Sequence, residues 1–309
     1  EPWDCGGLYK LKDFPAKRIG LWNGKFRDDV RKFWKGDKSC TWDMKDHLMG
    51  GQDLYKGQKD KIKRSINFVT AHDGFTLNDL VSFNSKHNLS NGENNRDGDN
   101  HNNSCNYGIE GPSSNVDLTR IRERQKRNLL ATMFISPGVP MLLMGDEVGR
   151  SQGGNNNTWC QNSNLSWMIW KEEECDLELY KYVKQLIKIR NIYADFFCKT
   201  HSQSKPKNSC NSEQLWVQWH GVKLNSPDWG SWSHTISYSL NQSSKGSLVW
   251  IGLNAYTKSI KFEIPKSTST WEIIIDTASE TLSKTKLIQN KISNYIEIES
   301  RSMVLLISK

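Results

Sequence analysis

The cysteines of this 309-residue chain lack the paired spacing of metal-binding or disulfide-rich proteins. The seven cysteines stand at positions 5, 40, 105, 160, 175, 198 and 210, an odd number with no Cys-x-x-Cys motif. Zinc ribbons, zinc fingers and disulfide-stapled scaffolds all need paired spacings, so the sequence argues against these classes. The thiols are typical of a reducing, intracellular protein. We expect neither a metal site nor a cofactor.

Long apolar runs are also missing. No run of about 18 apolar residues occurs, so we expect no segment that spans a membrane. Nothing near the N-terminus resembles a signal peptide. The chain does not begin with Met but with Glu1-Pro2-Trp3-Asp4, so we expect a processed chain or part of a longer protein.

The net charge is +8, but the basic residues lack the distribution of a nucleic-acid-binding protein. The most basic segments are Lys59–Lys63 and Arg120–Arg127. In the second, basic residues alternate with Glu123 and Gln125. A basic strip on one face would be needed to hold a phosphate backbone, whereas this pattern is typical of solvated surface. We therefore expect no nucleic acid as partner.

The first two-thirds of the chain alternates apolar runs with helical patterns. Ile66–Thr70 predicts a strand, followed by a short helix over Thr76–Phe83. Asn88–Gly111 is a long polar loop, and loops of this length are usually functional or disordered. A helix is predicted to start at about Ser114–Asp117 and to become buried in its second half.

A second unit of the same kind follows. Val139–Met144 is a continuous apolar run that predicts a strand covered on both faces. Another loop contains Gly153–Asn157, and Asp176–Phe197 predicts a helix. Repeated strand–loop–helix units indicate a parallel sheet or an α/β barrel.

The pattern changes after residue 198. Residues 199–214 are polar and predict a linker, and 215–309 predicts an all-β domain, most simply a small sandwich. Residues 1–198 then form the α/β domain. The seven predicted strands are Leu215–Trp219, Thr235–Leu240, Leu248–Leu253, Ile260–Ile264, Trp271–Ile275, Tyr295–Glu299 and Met303–Ser308.

Acidic side chains follow both predicted strands of the α/β domain. Asp73 comes after the first strand with His72 beside it, and Asp146 and Glu147 follow the second. Catalytic groups of α/β barrels lie where strands end, and a cluster of carboxylates there suits glycoside hydrolysis. A structural His-Asp pair and an Asp-Glu pair that only binds backbone amides remain open alternatives. Glu1 could be a third acidic group, after Asp73 and the Asp146-Glu147 pair.

Three long segments resemble one family. They are EPWDCGGLYKLKDFP with WNGKFRDDVRKFWKGD, then INFVTAHDGFTLNDLVSFNSKHNLSNGENNRDG, then RQKRNLLATMFISPGVPMLLMGDEVGRSQGGNNNTWCQNSNLSW. All resemble isoamylase-type and bacterial glycogen-debranching enzymes of the α-amylase superfamily, glycoside hydrolase family 13. The resemblance runs from residue 1 to about 170. It implies the C-terminal half of a (β/α)8 TIM barrel followed by an all-β sandwich domain.

The resemblance also implies roles for individual residues. Glu1 matches the general acid/base, and Asp73 matches the carboxylate that distorts the sugar and stabilises the transition state. His72 matches a histidine that binds sugar hydroxyls in the cleavage subsite. Trp3 and Phe75 would lie near that subsite, and Asn155 and Asn156 would line a substrate loop.

Two features depart from the family pattern. The family's nucleophile is an Asp in a GFRFD-like motif, and no such motif occurs in this chain. A retaining mechanism needs that group, so we expect the chain by itself not to turn over. Cys105 stands where relatives carry a Trp, which puts affinity or chain-length preference in doubt.

The predicted function is hydrolysis of α-1,6 branch linkages in glycogen or a starch-like glucan. The partner would be a branched α-glucan such as glycogen, amylopectin or limit dextrin, and the location cytoplasmic or, alternatively, plastidic. Two other readings stay open: an α-1,4-acting enzyme of the same superfamily, and a non-catalytic glucan-binding isoamylase-like subunit. The NGENNRDG and GGNNN loops argue against the first. The joint presence of Glu1, His72 and Asp73 argues against the second.

Overall fold

The computed structural model describes most of the chain. The described residues are 19–51, 64–168, 170, 175–199, 201–202, 214–242, 246–267, 270–279, 287–288 and 294–308. Glu1 and Trp3, two of the residues predicted for the site, lie outside these ranges.

The first part of the molecule is a parallel sheet with helices. Its three short strands lie in the order β1, β2, β3, and both pairs are parallel. The strands are β1 Leu21–Trp22, β2 Ser65–Asn67 and β3 Val139–Pro140. The helices are α1 Gly24–Lys35, α2 Thr41–Leu48, α3 Leu77–Leu80, α4 Val116–Ile135, α5 Leu177–Ile192 and α6 Ala194–Phe197.

Buried polar side chains link the three strands. Asn23 follows β1, and its side chain caps α1, since Asn23 Oδ1 accepts from Phe26 N at 2.9 Å. Asn23 Nδ2 donates to Ser65 Oγ at 3.0 Å. Ser65 Oγ donates to Asn67 Oδ1, and Asn67 Nδ2 donates to the Pro137 carbonyl. Such caps satisfy amides that a helix start leaves unpaired. The register of the sheet is therefore fixed by side chains as well as by the ladder.

Helix α4 confirms the predicted change from polar to apolar. It starts at Val116, within the predicted range, and the side chain of Asn115 caps it by accepting from the Leu118 amide. Every residue from Gln125 to Ile135 is buried. A helical segment that is buried on all sides lies in the interior of a domain, so the second half of α4 is an interior segment.

The apolar run at Val139–Met144 differs from its prediction. Only Val139–Pro140 is a strand, and Val139 and Met144 are 44% and 60% exposed. The described residues place β3 at an edge of the sheet, with β2 on one side. A strand with a single neighbouring strand is covered by fewer side chains than a central strand, and Met144 lies beyond β3 in the loop that follows.

The second part of the molecule is built of antiparallel strands. All seven predicted strands are present, with ends within two residues of those predicted, and a short strand is added at Leu287–Ile288. A six-stranded sheet has the order β4-β5-β6-β11-β8-β9, and β10 pairs with β7. The strands are β4 Leu215–His220, β5 Thr235–Gln242, β6 Gly246–Asn254, β7 Ile260–Glu263, β8 Trp271–Asp276, β9 Leu287–Ile288, β10 Tyr295–Ile298 and β11 Ser302–Ser308.

The large sheet is buried on both faces. Along β11, Val304 and Leu306 pack with Phe262 and Ile298 of the small sheet. The alternate residues Met303 and Leu305 join the hydrophobic cluster that also contains the helices of the first part. Strand residues alternate between faces, so one strand serves two cores. The two parts therefore share one continuous core.

Polar contacts reinforce this junction along α4. Arg124 Nη1 donates to the Ser300 carbonyl at 2.8 Å, and Arg127 Nε donates to the Thr277 carbonyl at 3.0 Å. Asn128 Nδ2 donates to the Arg301 carbonyl at 2.8 Å. These bonds fix the antiparallel part against the parallel part. Among the described helices, none is long and apolar enough to cross a membrane.

Candidate active site

The candidate site lies at the carboxyl-terminal edge of the parallel sheet. The chain leaves β2 at Asn67 and runs through a turn, residues 70–77, before α3 begins. His72 and Asp73 are both exposed on this turn. The His72 ring packs edge-on against Trp22 of the neighbouring strand, with 5.7 Å between ring centroids. Strand ends at this edge are where α/β proteins collect their reactive groups.

Asp146 clamps this turn at both ends. Its Oδ1 accepts from the Leu77 amide at 2.9 Å, and its Oδ2 accepts a short hydrogen bond from Thr70 Oγ1. The carboxyl is fully buried, and burial raises its pKa to about 7 against the opposing effect of these two hydrogen bonds. A buried carboxyl group that holds two ends of one turn is a structural element. Asp146 is thus the support of the turn that presents Asp73.

Asp79 makes a second set of such hydrogen bonds, to the loop after β3. It lies in α3 and is fully buried. Its carboxylate accepts from Ser151 Oγ and from the Gln152 amide at 2.7 Å. Burial raises the pKa of Asp79, and these hydrogen bonds oppose the rise. The loop after β3 is therefore tied to the helix that follows the His72–Asp73 turn.

The two long loops of this edge are joined by buried amide side chains. The Asn156 backbone amide donates to Asn88 Oδ1 at 3.0 Å, and Asn88 Nδ2 donates back to Asn156 Oδ1 at 2.8 Å. Asn156 Nδ2 donates to Asn102 Oδ1 at 2.8 Å, and Asn155 Nδ2 donates to Asn91 Oδ1 at 2.8 Å. The predicted loop at 88–111 is thus ordered by its contacts with residues 155–157.

Lys86 and Gly98 complete this loop pair. Lys86 is 9% exposed, and its ammonium donates to the carbonyls of Asp97 at 2.7 Å and Gly98 at 3.1 Å. Gly98 has φ +72°, and a Cβ placed there would lie 2.2 Å from Asn156 Oδ1. Only glycine combines that backbone conformation with that approach. The loop geometry therefore depends on both residues.

Arg31 connects helix α1 to the same edge. Its Nε donates to the Val69 carbonyl at 2.7 Å and its Nη1 donates to the Asn102 carbonyl at 2.9 Å. Burial lowers the pKa of this guanidinium to about 9, and the nearby Asp28 and Asp146 oppose the shift. One cation thus joins the end of β2 to the asparagine-rich loop.

Exposed tryptophans follow on the loop after β3. Trp159 and Trp167 are 74% and 53% exposed, and the Trp167 indole donates to Asn162 Oδ1 at 3.0 Å. Indole faces that remain open to solvent can pack on the apolar faces of sugars. Both lie on the segment that Asp79 ties to the His72–Asp73 turn.

The predicted site residues fall into three groups. The structure places His72 and Asp73 together on an exposed turn, whereas Glu1 and Trp3 are outside the described residues. Phe75 is fully buried and packs on Phe83. Asn155 and Asn156 are each 1% exposed. Their side chains hold the turn and the loops rather than face solvent, so direct substrate contact by these three stays a prediction.

Sequence reasoning missed the supports of the site. Asp79 follows Thr76 at the three-residue spacing of a helix N-cap, and Thr76 Oγ1 indeed accepts from the Asp79 amide at 3.2 Å. That spacing agrees with the helix start predicted at Thr76. The carboxylate's contacts with residues 151–154 had no signal in the sequence. No group of three or more potential metal ligands occurs among the described residues.

Comparison with known proteins relates the chain to a family. The model of the isoamylase 1-3 C-terminal domain matches residues 218–296. The glycogen operon protein GlgX homolog of Mycobacterium tuberculosis is 44% identical over 236 residues, which is 74% of this chain and 32% of that protein. Isoamylase SU1 of Zea mays, a chloroplastic protein, is 40% identical over 283 residues, 91% of this chain and 34% of that protein.

The chain belongs to the isoamylase-type debranching family. It spans about a third of the length of the curated relatives that it matches. Among solved structures, pullulanase from Bacillus acidopullulyticus superimposes with a TM-score of 0.64 at 17% identity, covering 94% of this chain and 30% of that one. Pullulanase type I from Bacillus subtilis gives 0.62 at 18% identity, with 94% and 36% covered. At these identities the likeness concerns the fold.

Proposed function

We propose that this chain carries part of the active site of a glycoside hydrolase that cleaves α-1,6 branch linkages of glycogen or a starch-like glucan. Asp73 is the carboxylate that stabilises the transition state, and His72 binds hydroxyls of the sugar being cleaved. Glu1 is the general acid/base. The family nucleophile has no matching motif here, so a retaining reaction needs that Asp from outside these 309 residues.

One observation carries the proposal. Asp73 is exposed on a turn whose two ends are both bonded to one buried carboxyl, that of Asp146. Holding a charged side chain in water normally needs no such support. A reactive carboxylate gains from it, because electrostatic stabilisation of an oxocarbenium-like transition state depends on a preorganised group. The support is therefore expected of a catalytic turn and not of an ordinary surface loop.

The neighbouring residues fit a carbohydrate substrate. His72 is held against Trp22 and is exposed beside Asp73, where an imidazole can bind a hydroxyl. In this proposal Trp3 and Phe75 belong to the surroundings of the subsite, and Asn155 and Asn156 belong to a substrate loop that their buried side chains hold in place. The partner is a branched α-glucan such as glycogen, amylopectin or limit dextrin.

We extend the proposal to the architecture and location. The parallel part, with residues 1–198, is the C-terminal half of a (β/α)8 barrel, 199–214 is a linker, and 215–309 is a β-sandwich domain. The pullulanase-like fold and the two antiparallel sheets support this division. The protein works in the cytoplasm, as a bacterial-type debrancher would. The plastid is the alternative because the maize relative is named chloroplastic.

Hydrolysis by the complete protein tests the function. Reducing ends and chain lengths are measured after incubation with glycogen, amylopectin and pullulan. We expect short linear chains from branched substrates, and an Asp73→Asn variant that loses at least about 100-fold in kcat with little change in glucan binding. Asp117→Asn is the matched control, since Asp117 is 88% exposed and lies on α4.

The outcome separates the competing hypotheses. A complete protein that binds glucan but releases no chains would be a non-catalytic glucan-binding subunit. Release of chains from linear α-1,4-glucan would indicate an α-1,4-acting enzyme. Equal activity of the Asp73→Asn and Asp117→Asn variants would refute the role of Asp73.

A further inference from the structure

A second exposed aromatic surface lies away from the candidate site. It consists of Trp42 on α2 and Trp229 and Trp232 in the segment between β4 and β5, together with Lys45 and Asp228; we call it the Trp42–Trp232 surface. Trp42 is 58% exposed and Trp232 is 73% exposed. Exposing so much of two indoles costs free energy that packing does not recover. Their exposure therefore needs an explanation beyond the fold.

Trp232 is held rigidly in its exposed position. Its indole Nε1 donates to Asp228 Oδ2 at 3.1 Å, and Asp228 Oδ1 accepts from the Gly230 amide at 2.9 Å. The ring lies over Gly230, where an added Cβ would be 2.5 Å from the indole. One side of the ring is thus supported by backbone and the rest is open. A fixed ring binds at a lower entropic cost than a mobile one.

Trp42 is fixed beside it by other aromatic rings. It meets Trp229 edge-on at 5.9 Å and 90°, and Lys45 Nζ lies 4.4 Å from the Trp42 ring centroid. Trp229 packs in turn on Trp219, which is 9% exposed. Packing in the hydrophobic core therefore explains the presence of Trp219 and the contacts on the inner side of the Trp229 ring. It does not account for the outer parts of Trp42 and Trp232.

The two exposed indoles belong to one surface. Ser39, three residues before Trp42, donates its amide to the carbonyl of Ser231, the neighbour of Trp232, at 3.0 Å. This bond ties the start of α2 to the β4–β5 segment. Both rings are thus presented by segments bonded to each other.

The surface is at the opposite edge of the sheet from Asp73. Helix α1 starts directly after β1 ends and runs back along the sheet, so α2 begins at the amino-terminal edge. After α2, Gly50 packs against Pro137, which lies two residues before β3 starts at Val139; a Cβ on Gly50 would lie 3.0 Å from that proline. Asp73 follows the carboxyl end of β2. One sugar unit cannot contact both places.

We propose that the Trp42–Trp232 surface is a second, non-catalytic binding site for α-glucan chains. The choice of glucan rests on the proposed function, because a branched polymer can be held far from the bond being cleaved. The chemistry agrees: rigid indoles provide stacking faces, and Lys45 and Asp228 provide hydrogen bonds to hydroxyls. The large apolar side chains exposed among these residues are aromatic, whereas a protein interface core also uses aliphatic ones.

Affinity electrophoresis tests this site. The complete protein is run in native gels that contain glycogen or amylopectin, as wild type and as Trp42→Ala, Trp232→Ala and the double variant. Losing two stacking faces should raise the apparent Kd for polymer by about tenfold or more. Tyr180→Ala is the matched control, because Tyr180 is 42% exposed on α5 and has Lys184 Nζ 5.3 Å from its ring.

A short branched oligosaccharide separates this site from the catalytic one. In the double variant we expect unchanged kcat and KM on that substrate and a raised KM on glycogen. Trp232→Tyr keeps a stacking ring and should retain most of the affinity, which guards against a folding defect. Unchanged migration of the double variant would overturn the proposal, as would equal losses on oligosaccharide and polymer, or a change in oligomeric state on mutation.

Failure of the proposed function would look different. A wild-type protein that releases no chains but is retarded by glycogen, and loses that retardation in the double variant, would refute the hydrolase and retain this site.

Discussion

Replacing Asp146 with Asn should remove a large pH dependence of stability. The carboxyl is fully buried, and burial raises its pKa from 3.8 to about 7 in the folded protein. Asn keeps the shape and an acceptor for the Leu77 amide, and its Nδ2 can donate to the Thr70 hydroxyl. The substitution therefore removes the titration while keeping the clamp on residues 70–77.

The sign follows from linkage. A raised pKa means that the folded state holds the proton more tightly than the unfolded state does. The stabilisation is complete below pH 4 and is lost as pH rises through about 7. The loss is about 1.4 kcal/mol per pH unit, or about 4 kcal/mol in total. Between pH 5 and pH 8 this group alone lowers the free energy of unfolding by about 3 kcal/mol.

Two histidines act in the opposite direction at lower pH. Burial lowers the pKa of His220 to about 4 and also lowers that of His201. Each contributes stability above the ordinary histidine pKa that is lost as pH falls. The wild-type curve alone therefore mixes the two effects. The difference between the wild type and the Asp146→Asn variant isolates Asp146.

The assay is urea unfolding followed by tryptophan fluorescence at pH 5, 6, 7 and 8. The free energy of unfolding of the variant minus that of the wild type should fall by about 3 kcal/mol from pH 8 to pH 5. Asp117→Asn, at an 88% exposed side chain, should give a flat difference. A flat difference for Asp146→Asn would refute the buried, pH-titrating carboxyl.

Two further substitutions test the loops and the second core. Asn156→Asp replaces the Nδ2 that donates to Asn102 Oδ1 by an acceptor, and should lower the free energy of unfolding in urea by about 2–3 kcal/mol. Asn100→Asp, at an exposed position, is the control. Equal stability of the two variants would contradict the buried amide network. Gly252→Ala places a Cβ 2.4 Å from the Trp250 ring and should cost about 1–3 kcal/mol, visible as a lower Tm. An unchanged Tm would show that this core can absorb a methyl group.

The antiparallel part was more predictable from the sequence than the parallel part. Alternation of apolar residues, as in Ile236, Tyr238 and Leu240, defines a strand locally, and the prediction of β5 is confirmed. The parallel strands are short, and the chain stays buried after they end: Phe68 and Val69 follow β2 and are almost fully buried. Local hydrophobicity cannot separate such residues from the strand itself. This explains why Ile66–Thr70 was predicted for a strand that ends at Asn67.

The site was predictable only where a strand end and a motif coincide. His72 and Asp73 follow a strand and are exposed, as the position at the strand end suggests. For Asn155 and Asn156 the sequence shows only polarity. Their partners Asn91 and Asn88 are 64 and 68 residues away, and no local pattern reports that contact. The sequence predicts that both residues line a substrate loop but gives no sign that the fold buries their side chains.

The sequence leaves open whether Asp146 is a reactive carboxylate or a structural one, because it carries no information on long-range contacts. The environment of Asp146 favours the structural role. Asp73 and Asp146 follow neighbouring strands of one sheet, but Asp73 is exposed and Asp146 is buried with both oxygens occupied. A group that contacts a sugar must be accessible, whereas Asp146 is buried and each of its oxygens already accepts a hydrogen bond from Thr70 or Leu77. Any effect of Asp146 on the proposed reaction must therefore pass through the geometry of the turn. The pH-dependent difference for Asp146→Asn measures how strongly that turn is coupled to a buried proton.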